Sequence, residues 1–226
     1  MYKSIVELKN KHKEEDIWVI TAGSSMNYVS KDLFDNKITI SVNDMVQYFK
    51  SDYLVMKDCM KPKFAETLKY AESFNIPLLF TKHHEGKSQS ELNKVSNTNS
   101  YMFDHNPKIK SFKEEIKNLK ENEIINSRST VTTAMHIAAY MGAKNIILCG
   151  HDCGTINGNL YYRNYLPGGK HPKQWWGGIE GAISQYEDQT SITRDYLKRK
   201  YDSNVVSLNP FINFSLEGNK YIPTKI

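Results

Sequence analysis

The chain has 226 residues, of which 39% are hydrophobic and 24% charged, and its formal net charge is +5. This composition is typical of a globular protein with one large domain and argues against wholesale disorder. The sequence contains no run of about 18 apolar residues that would span a membrane, and its N-terminal segment lacks the apolar core of a secretory signal. We therefore expect a cytoplasmic protein.

Short apolar runs alternate with helical patterns along the chain. The patterns predict strands at residues 17–21, 38–42, 53–56, 77–81, 145–150 and 204–208, and helices ending at residue 33 and spanning 62–74, 131–141 and 191–201. Strands that alternate with helices require crossover connections, and hence a mostly parallel sheet covered on both faces. We predict a single doubly wound, Rossmann-like α/β domain that spans residues 1–226.

Two stretches break this alternation. Residues 82–100 are polar and are interpreted as an exposed excursion. Residues 153–181 combine seven glycines with aromatic side chains that include Tyr161, Tyr162 and Trp175. A loop this long inside a compact domain is usually functional or disordered, and its aromatic residues argue against plain disorder. We predict a lid at about residues 153–181 that is mobile without substrate and closes over it.

The distribution of charge and cysteine excludes several classes of site. The densest basic stretch, residues 108–120, interleaves acidic and apolar residues with the spacing of an amphipathic helix, which argues against a nucleic-acid-binding arm. An anionic small ligand accounts for the positive charge equally well. Cys59, Cys149 and Cys153 lack the partners of a zinc site and are expected to be buried thiols, and no metal site is predicted.

Polar residues follow the predicted strands, where ligands bind in open parallel sheets. The candidates at these strand ends are Gly23, Ser24, Ser25, Asn43, Asp58, Gly150 and Asp152. Small residues after the first strand would let backbone N–H groups approach a phosphate, although a simple tight turn capped by Ser25 explains them as well. The turn is neither a G-x-G-x-x-G motif nor a P-loop.

A second helix start at Ser129 and Thr130 would bring hydroxyls and unpaired N–H groups to the same cleft, although an ordinary helix cap is an equal alternative. Arg128 would either neutralise an anion or lie on the surface. His136 falls within the apolar helix pattern and is predicted to be packed in the core.

The segment from Ser129 to Asp152 resembles a family signature. It has a Ser/Thr-rich helix start, an Ala-rich helix, a Gly-Ala step, an apolar strand and a Gly-x-Asp ending. This order is similar to that of the superfamily containing the motility-accessory-factor glycosyltransferases and the 6-hydroxymethylpterin pyrophosphokinase-like proteins. The segment Ala22-Gly23-Ser24-Ser25 corresponds to their nucleotide-binding turn, without its usual Gly-Pro-Ser continuation.

The same layout resembles the bacterial sialyltransferases that use a cytidine monophosphate-linked sugar. The resemblance implies a GT-A-like variant of the fold in which Asn43 binds the donor, Ser129 lies near it and Tyr161 contacts the donor phosphate from the lid. This sequence departs from the sialyltransferases at two positions. The catalytic histidine of that family corresponds to a position near Gln185 here, and its second lid tyrosine to a position near Cys153.

The leading hypothesis is a sialyltransferase-like glycosyltransferase that needs no cofactor. It would move a sugar, sialic-acid-like in the leading case, from a nucleotide-activated donor to a hydroxyl of a glycan or protein acceptor. Such a transfer needs a general base and stabilisation of the departing phosphate. His171 in the predicted lid is the candidate base and Asp152 the alternative, while the turn at residues 23–25 and Tyr161 or Tyr162 would hold the phosphate.

Two alternatives remain open. A pterin pyrophosphokinase-like enzyme would use ATP and Mg²⁺, with Asp58 and Asp152 as metal ligands. A non-catalytic nucleotide-sugar-binding homologue would explain Gln185 in place of the histidine. The sequence does not decide the oligomeric state, so a homo-oligomer is also open.

Overall fold

The computed structural model describes residues 2–57, 59, 64–81, 99–105, 111–126, 129–156, 159–164 and 178–208. Its strands form one parallel sheet of eight. They are β1 (Lys3–Ser4), β2 (Asp16–Ile20), β3 (Ile38–Val42), β4 (Tyr53–Val55), β5 (Leu78–Thr81), β6 (Ser100–Phe103), β7 (Asn145–Cys149) and β8 (Asn204–Ser207). Within the described residues, the α-helices are α1 (Ala65–Ser73), α2 (Phe112–Asn118), α3 (Thr130–Tyr140) and α4 (Gly178–Tyr201).

The strand order is β1-β6-β5-β4-β3-β2-β7-β8. The chain therefore steps outward from β2 to β6, crosses back to place β7 on the other side of β2, and ends at β8. The order reverses between β2 and β7, so the topological switch point lies there. This arrangement confirms the predicted α/β class with a parallel sheet.

Helix α3 lies across the middle of one face of the sheet, where it packs against β2, β3, β4 and β7 and is covered by α4. Its residues 132–140 are all buried, because alanines allow a close approach to the strands and the outer side is packed under α4. The helix ends at Gly142, whose φ of +91° is in the left-handed region that favours glycine. The amide of Asn10, which precedes β2, donates to Tyr140 O at this end. The opposite, amino end of α3 therefore lies at the carboxyl edge of the sheet.

The other face carries short 3-10 helices next to β2 and β3. The predicted helix ending at residue 33 is replaced by two turns, Ser24–Tyr28 and Lys31–Phe34. Val29 and Ser30 between them are extended, and β-branched and hydroxyl side chains are weak helix formers. The buried side chains of Met26, Phe34 and Phe49 pack this layer against Ile20 and Ile147 of the sheet.

Other predicted boundaries shift because tertiary packing overrides local pattern. Helix α4 begins at Gly178, so the last residues of the predicted lid are helical. Two strands differ from the sequence-based prediction. Strand β1 has two residues, which is too few for a recognisable pattern, and β6 begins at Ser100, the last residue of the stretch interpreted as an exposed excursion. In the part of the chain that is described, no helix combines the length and hydrophobicity needed to cross a bilayer.

Candidate functional site at the carboxyl edge

The carboxyl ends of β2 and β7 meet through two glycines. The amide of Gly23 donates to Gly150 O at 2.7 Å. A Cβ at position 23 would lie 2.1 Å from that oxygen, and one at position 150 would lie 2.4 Å from Thr21 O. Gly150 also has a φ of +74°, in the left-handed region. Both positions thus require glycine because the two backbones touch at the switch point.

The carboxylate of Asp152 holds the turn that follows β2. Its Oδ2 accepts the backbone N–H of Ser25 at 2.8 Å, and its Oδ1 accepts the Ser25 hydroxyl at 2.5 Å. Asp152 is only 5% exposed. The carboxylate occupies the position at the start of the Ser24–Tyr28 helix where a phosphate was predicted, so these Ser25 donors are engaged within the chain.

The hydroxyl of Ser24 in the same turn is buried and has no hydrogen-bond partner among the described residues. Its neighbour Gly23 already donates its amide to β7. Of the three residues predicted to cradle a phosphate, two therefore have their backbone N–H groups bound inside the protein.

The first part of the predicted lid lies against this turn. Tyr161 forms an antiparallel bridge with Gly23, and the amide of Tyr162 donates to Ala22 O at 2.9 Å. Burial raises the pKa of the half-buried Tyr161 to about 12, so its phenol remains a hydrogen-bond donor at neutral pH. Tyr162 is 2% exposed and packs its ring 5.4 Å from that of Phe49, which gives its ring a packing role.

Asn43 lies directly after β3 at the same edge. Its φ of +53° is left-handed, a conformation that asparagine tolerates better than most residues and that is often found at functional sites. Its half-buried side chain makes no hydrogen bond to the described part of the chain. The amide group is therefore available to a ligand.

The amino end of α3 provides the second feature of this edge. Ser129 caps the helix by accepting the amide of Val131 at 3.2 Å, which leaves other first-turn N–H groups, beginning with that of Thr130, without an intrahelical partner. An α-helix of this length favours anions at its amino end. Asn43 and Ser129 thus lie at one edge of the sheet although 86 residues separate them (129 − 43).

His151 follows Gly150 but points into the interior. Its Nε2 lies 2.6 Å from Thr190 Oγ1 of α4 and 3.6 Å from the thiol of Cys153. Burial lowers the pKa of His151 to about 4 and raises that of the Cys153 thiol. The three cysteines are buried thiols, as predicted, and His151 is a neutral core residue.

The sequence places Lys57 directly after a predicted strand, but the polar cluster to which Lys57 belongs, farther along the carboxyl edge, was not predicted. Its members are Lys57, Thr81, His105, Glu115 and Asn126. His105 was not predicted as a site residue because β6, which it follows closely, was not predicted. The apolar run Tyr101-Met102-Phe103 is a signal that could have found this strand.

Three predicted site residues, Asp58, Arg128 and His171, lie outside the described residues. Among the residues that are described, no group of three or more His, Cys, Asp or Glu side chains is arranged to hold a metal ion.

Solved structures with a similar fold are glycosyltransferases of low sequence identity. The sialyltransferase CstII from Campylobacter jejuni, in complex with cytidine-5'-monophosphate, has a TM-score of 0.55 at 12% identity, covering 94% of this chain and 92% of its own. The monofunctional alpha-2,3-sialyltransferase Cst-I from the same organism has a TM-score of 0.52 at 16% identity, with coverages of 92% and 83%. These similarities establish the shared fold.

The MAf glycosyltransferase from Magnetospirillum magneticum AMB-1 has a TM-score of 0.54 at 13% identity. The match covers 99% of this chain but 37% of the Magnetospirillum chain. Among curated proteins, none matches this sequence significantly.

The sequence profile of one family matches residues 1–158. This match includes β1 to β7, the Gly23 turn, the amino end of α3 and Asp152, and it confirms the resemblance drawn from residues 129–152. Because it covers more than half of the 226 residues, the chain belongs to the 6-hydroxymethylpterin diphosphokinase MptE-like family.

Proposed function

We propose that this chain is a glycosyltransferase that takes its sugar from a nucleotide-activated donor, with a cytidine monophosphate-linked, sialic-acid-like sugar as the first candidate. The observation that carries the proposal is the edge formed by Asn43 and the amino end of α3 beside the switch point. Support also comes from the fold shared with sialyltransferases, one of them in complex with cytidine-5'-monophosphate.

The donor phosphate would bind at Ser129 and Thr130 rather than at the Gly23 turn. The carboxylate of Asp152 already satisfies the Ser25 amide and hydroxyl, and its negative charge would repel a phosphate at that position. The amino end of α3 offers N–H groups and the positive end of the helix dipole. The Asn43 amide would then hydrogen-bond the nucleoside.

The departing phosphate needs hydrogen-bond donors and the acceptor hydroxyl needs a base. Tyr161 would supply a phenolic O–H to the phosphate, because a tyrosine is protonated at neutral pH and its half-buried position beside Gly23 keeps it so. His171 remains the proposed base. Asp152 is less suited to that role, since both of its oxygens accept hydrogen bonds from Ser25 and it is buried.

A ligand screen tests the proposal first. The melting temperature would be measured with cytidine, uridine, guanosine and adenosine nucleotides, each with Mg²⁺ and with EDTA. A ligand at about 100 times its Kd stabilises the folded protein by about 2.7 kcal/mol. We expect stabilisation by cytidine nucleotides in EDTA, and no response to any cytidine nucleotide would contradict the donor assignment.

A transfer assay tests catalysis and the base. With a cytidine monophosphate-linked donor and a panel of glycan and protein acceptors, we expect transfer or slow donor hydrolysis that persists in EDTA. His171→Ala should abolish transfer while leaving nucleotide affinity unchanged. Full activity of this variant would move the base to another residue, and the complete absence of turnover by the wild type would favour a nucleotide-sugar-binding protein without catalysis.

The second candidate is a pterin diphosphokinase, which the family match favours. That reaction would transfer a diphosphate from ATP to a pterin hydroxyl and release AMP, with Mg²⁺ near Asp58 and Asp152. Stabilisation by ATP only with Mg²⁺, followed by AMP release that depends on 6-hydroxymethylpterin, would support it over the transferase.

A further inference from the structure

The three residues 124–126 that lead towards α3 are bound to several distant elements. The amide of Ile124 donates to Asp104 O, just after β6, at 2.9 Å. The amide of Ile125 donates to Nδ1 of His136 in α3 at 3.0 Å. Ile124 and Ile125 are fully buried. This stretch of backbone between α2 and α3 is therefore fixed to β6 on one side and to α3 itself on the other.

Asn126, the last of the three, is held by side chains from three other elements. Its amide donates to Oε1 of Glu115 in α2 at 2.6 Å, and its carbonyl accepts from Nζ of Lys57, two residues after β4, at 3.0 Å. Its Nδ2 lies 3.1 Å from Nε2 of His105, whose Nδ1 is 2.6 Å from Thr81 Oγ1 at the end of β5. The backbone and side chain of one residue thus connect α2 with the carboxyl ends of β4, β5 and β6.

The hydrogen bonds of His136 define its proton position. Its Nδ1 accepts from the backbone amide of Ile125, so Nε2 of the neutral ring carries the proton and donates to the hydroxyl of Tyr201 at 2.8 Å.

Holding the backbone of residues 124–126 with buried polar side chains costs free energy, whereas the backbone of an exposed connection would form its hydrogen bonds with water. Glu115 is 4% exposed, and removing a carboxylate from water costs several kcal/mol unless hydrogen bonds compensate. The side chains of Glu115 and Lys57 both bind the backbone of Asn126, which lies three residues before Ser129. Because the neighbouring amide of Ile125 donates to His136, the same stretch of backbone is attached directly to α3.

We propose that Glu115, His105 and Lys57 are positioning residues for the donor site, which hold Asn126 and thereby set the amino end of α3 against the carboxyl edge of the sheet. The inference rests on the proposed function, because it takes the amino end of α3 as the place where the donor's anion binds. A displacement of that end weakens the binding of the anion without removing any group that touches it.

The test uses Glu115→Ala, with Glu115→Gln as the conservative rescue because glutamine keeps an acceptor oxygen for Asn126. His105→Gln is a second variant in case Glu115→Ala does not fold. Ser203→Ala is the matched control, since it removes a buried hydrogen bond to Ala143 O at the opposite, amino edge of the sheet. Each variant is measured well below its melting temperature for its Kd for cytidine monophosphate and for hydrogen exchange at the α3 amides.

We expect Glu115→Ala and His105→Gln to raise the Kd by about tenfold and to speed exchange at residues 130–132 but not at residues 137–140. Glu115→Gln should restore both, and Ser203→Ala should lower the melting temperature while changing neither. An unchanged Kd and unchanged exchange in Glu115→Ala and His105→Gln would overturn the inference. If the wild type binds no nucleotide yet local exchange still rises in Glu115→Ala, the proposed function fails while the positioning of α3 by Glu115 is supported.

Discussion

Acidification should destabilise the protein because two histidines are buried as neutral side chains. His136 and His151 are 0% and 6% exposed, and burial lowers their pKa values to about 3 and about 4. The positive charge of Lys200 adds to the effect on His136. In the unfolded chain both rings have a pKa of about 6.5, so below that pH protons bind the unfolded state first.

The size of the loss follows from linkage. Each histidine that is protonated only in the unfolded state lowers the free energy of unfolding by about 1.4 kcal/mol per pH unit. The unfolded rings are half protonated at pH 6.5, so between pH 6.5 and pH 5 each contributes somewhat less than about 2 kcal/mol, and the two together about 3 kcal/mol. The stability that the neutral rings provide is present above pH 6.5 and is lost progressively as the pH falls towards the folded-state pKa values of about 3 for His136 and about 4 for His151. A domain with a total stability of about 5–15 kcal/mol would lose a large part of it.

Urea denaturation at pH 7, 6 and 5 measures this dependence. His136→Asn keeps an acceptor near the position of Nδ1 for the Ile125 amide but cannot titrate, so the pH-dependent loss should fall by about half. Tyr201→Phe is the control, because it removes a hydrogen bond of His136 and leaves both histidines able to titrate. It should lower stability at every pH and keep the slope. An equal loss of stability from pH 7 to pH 5 in the wild type and in His136→Asn would refute the reasoning.

Three further predictions concern the carboxyl edge. Gly23→Ala should destabilise the fold by about 1–3 kcal/mol or more, since its Cβ would meet the backbone oxygen of Gly150 at 2.1 Å; urea melts measure this. Asp152→Ala should cost about 1–3 kcal/mol because it leaves both the amide and the hydroxyl of Ser25 without this acceptor, whereas Ser25→Ala, which loses one hydroxyl bond, should cost about 1 kcal/mol. Asn43→Gly and Asn43→Ala should weaken nucleotide binding equally by calorimetry, and only the alanine should also lose about 1 kcal/mol of stability to its left-handed backbone. Unchanged affinity in both Asn43 variants would show that this side chain does not touch the nucleotide.

Much of the architecture could be predicted from local pattern. Apolar runs such as residues 17–21 and 145–150 mark buried strands, and the helical periods between them imply parallel pairing. The packed state of His136 followed from its place in an apolar helix pattern, and the structure confirms it. The family resemblance followed from the order of small and apolar residues between Ser129 and Asp152, which the family match also confirms. These properties depend on neighbours in sequence, so the sequence alone carries them.

The assignment of roles at the edge depended on contacts that only the tertiary structure decides. Asp152 and Ser25 are 127 residues apart, and their pairing exists because β7 lies beside β2. The same applies to Tyr162, which looked like a second phosphate ligand but packs against Phe49. The partners of these side chains depend on which strand ends meet at the switch point. That meeting is a property of the strand order, which local periodicity does not encode.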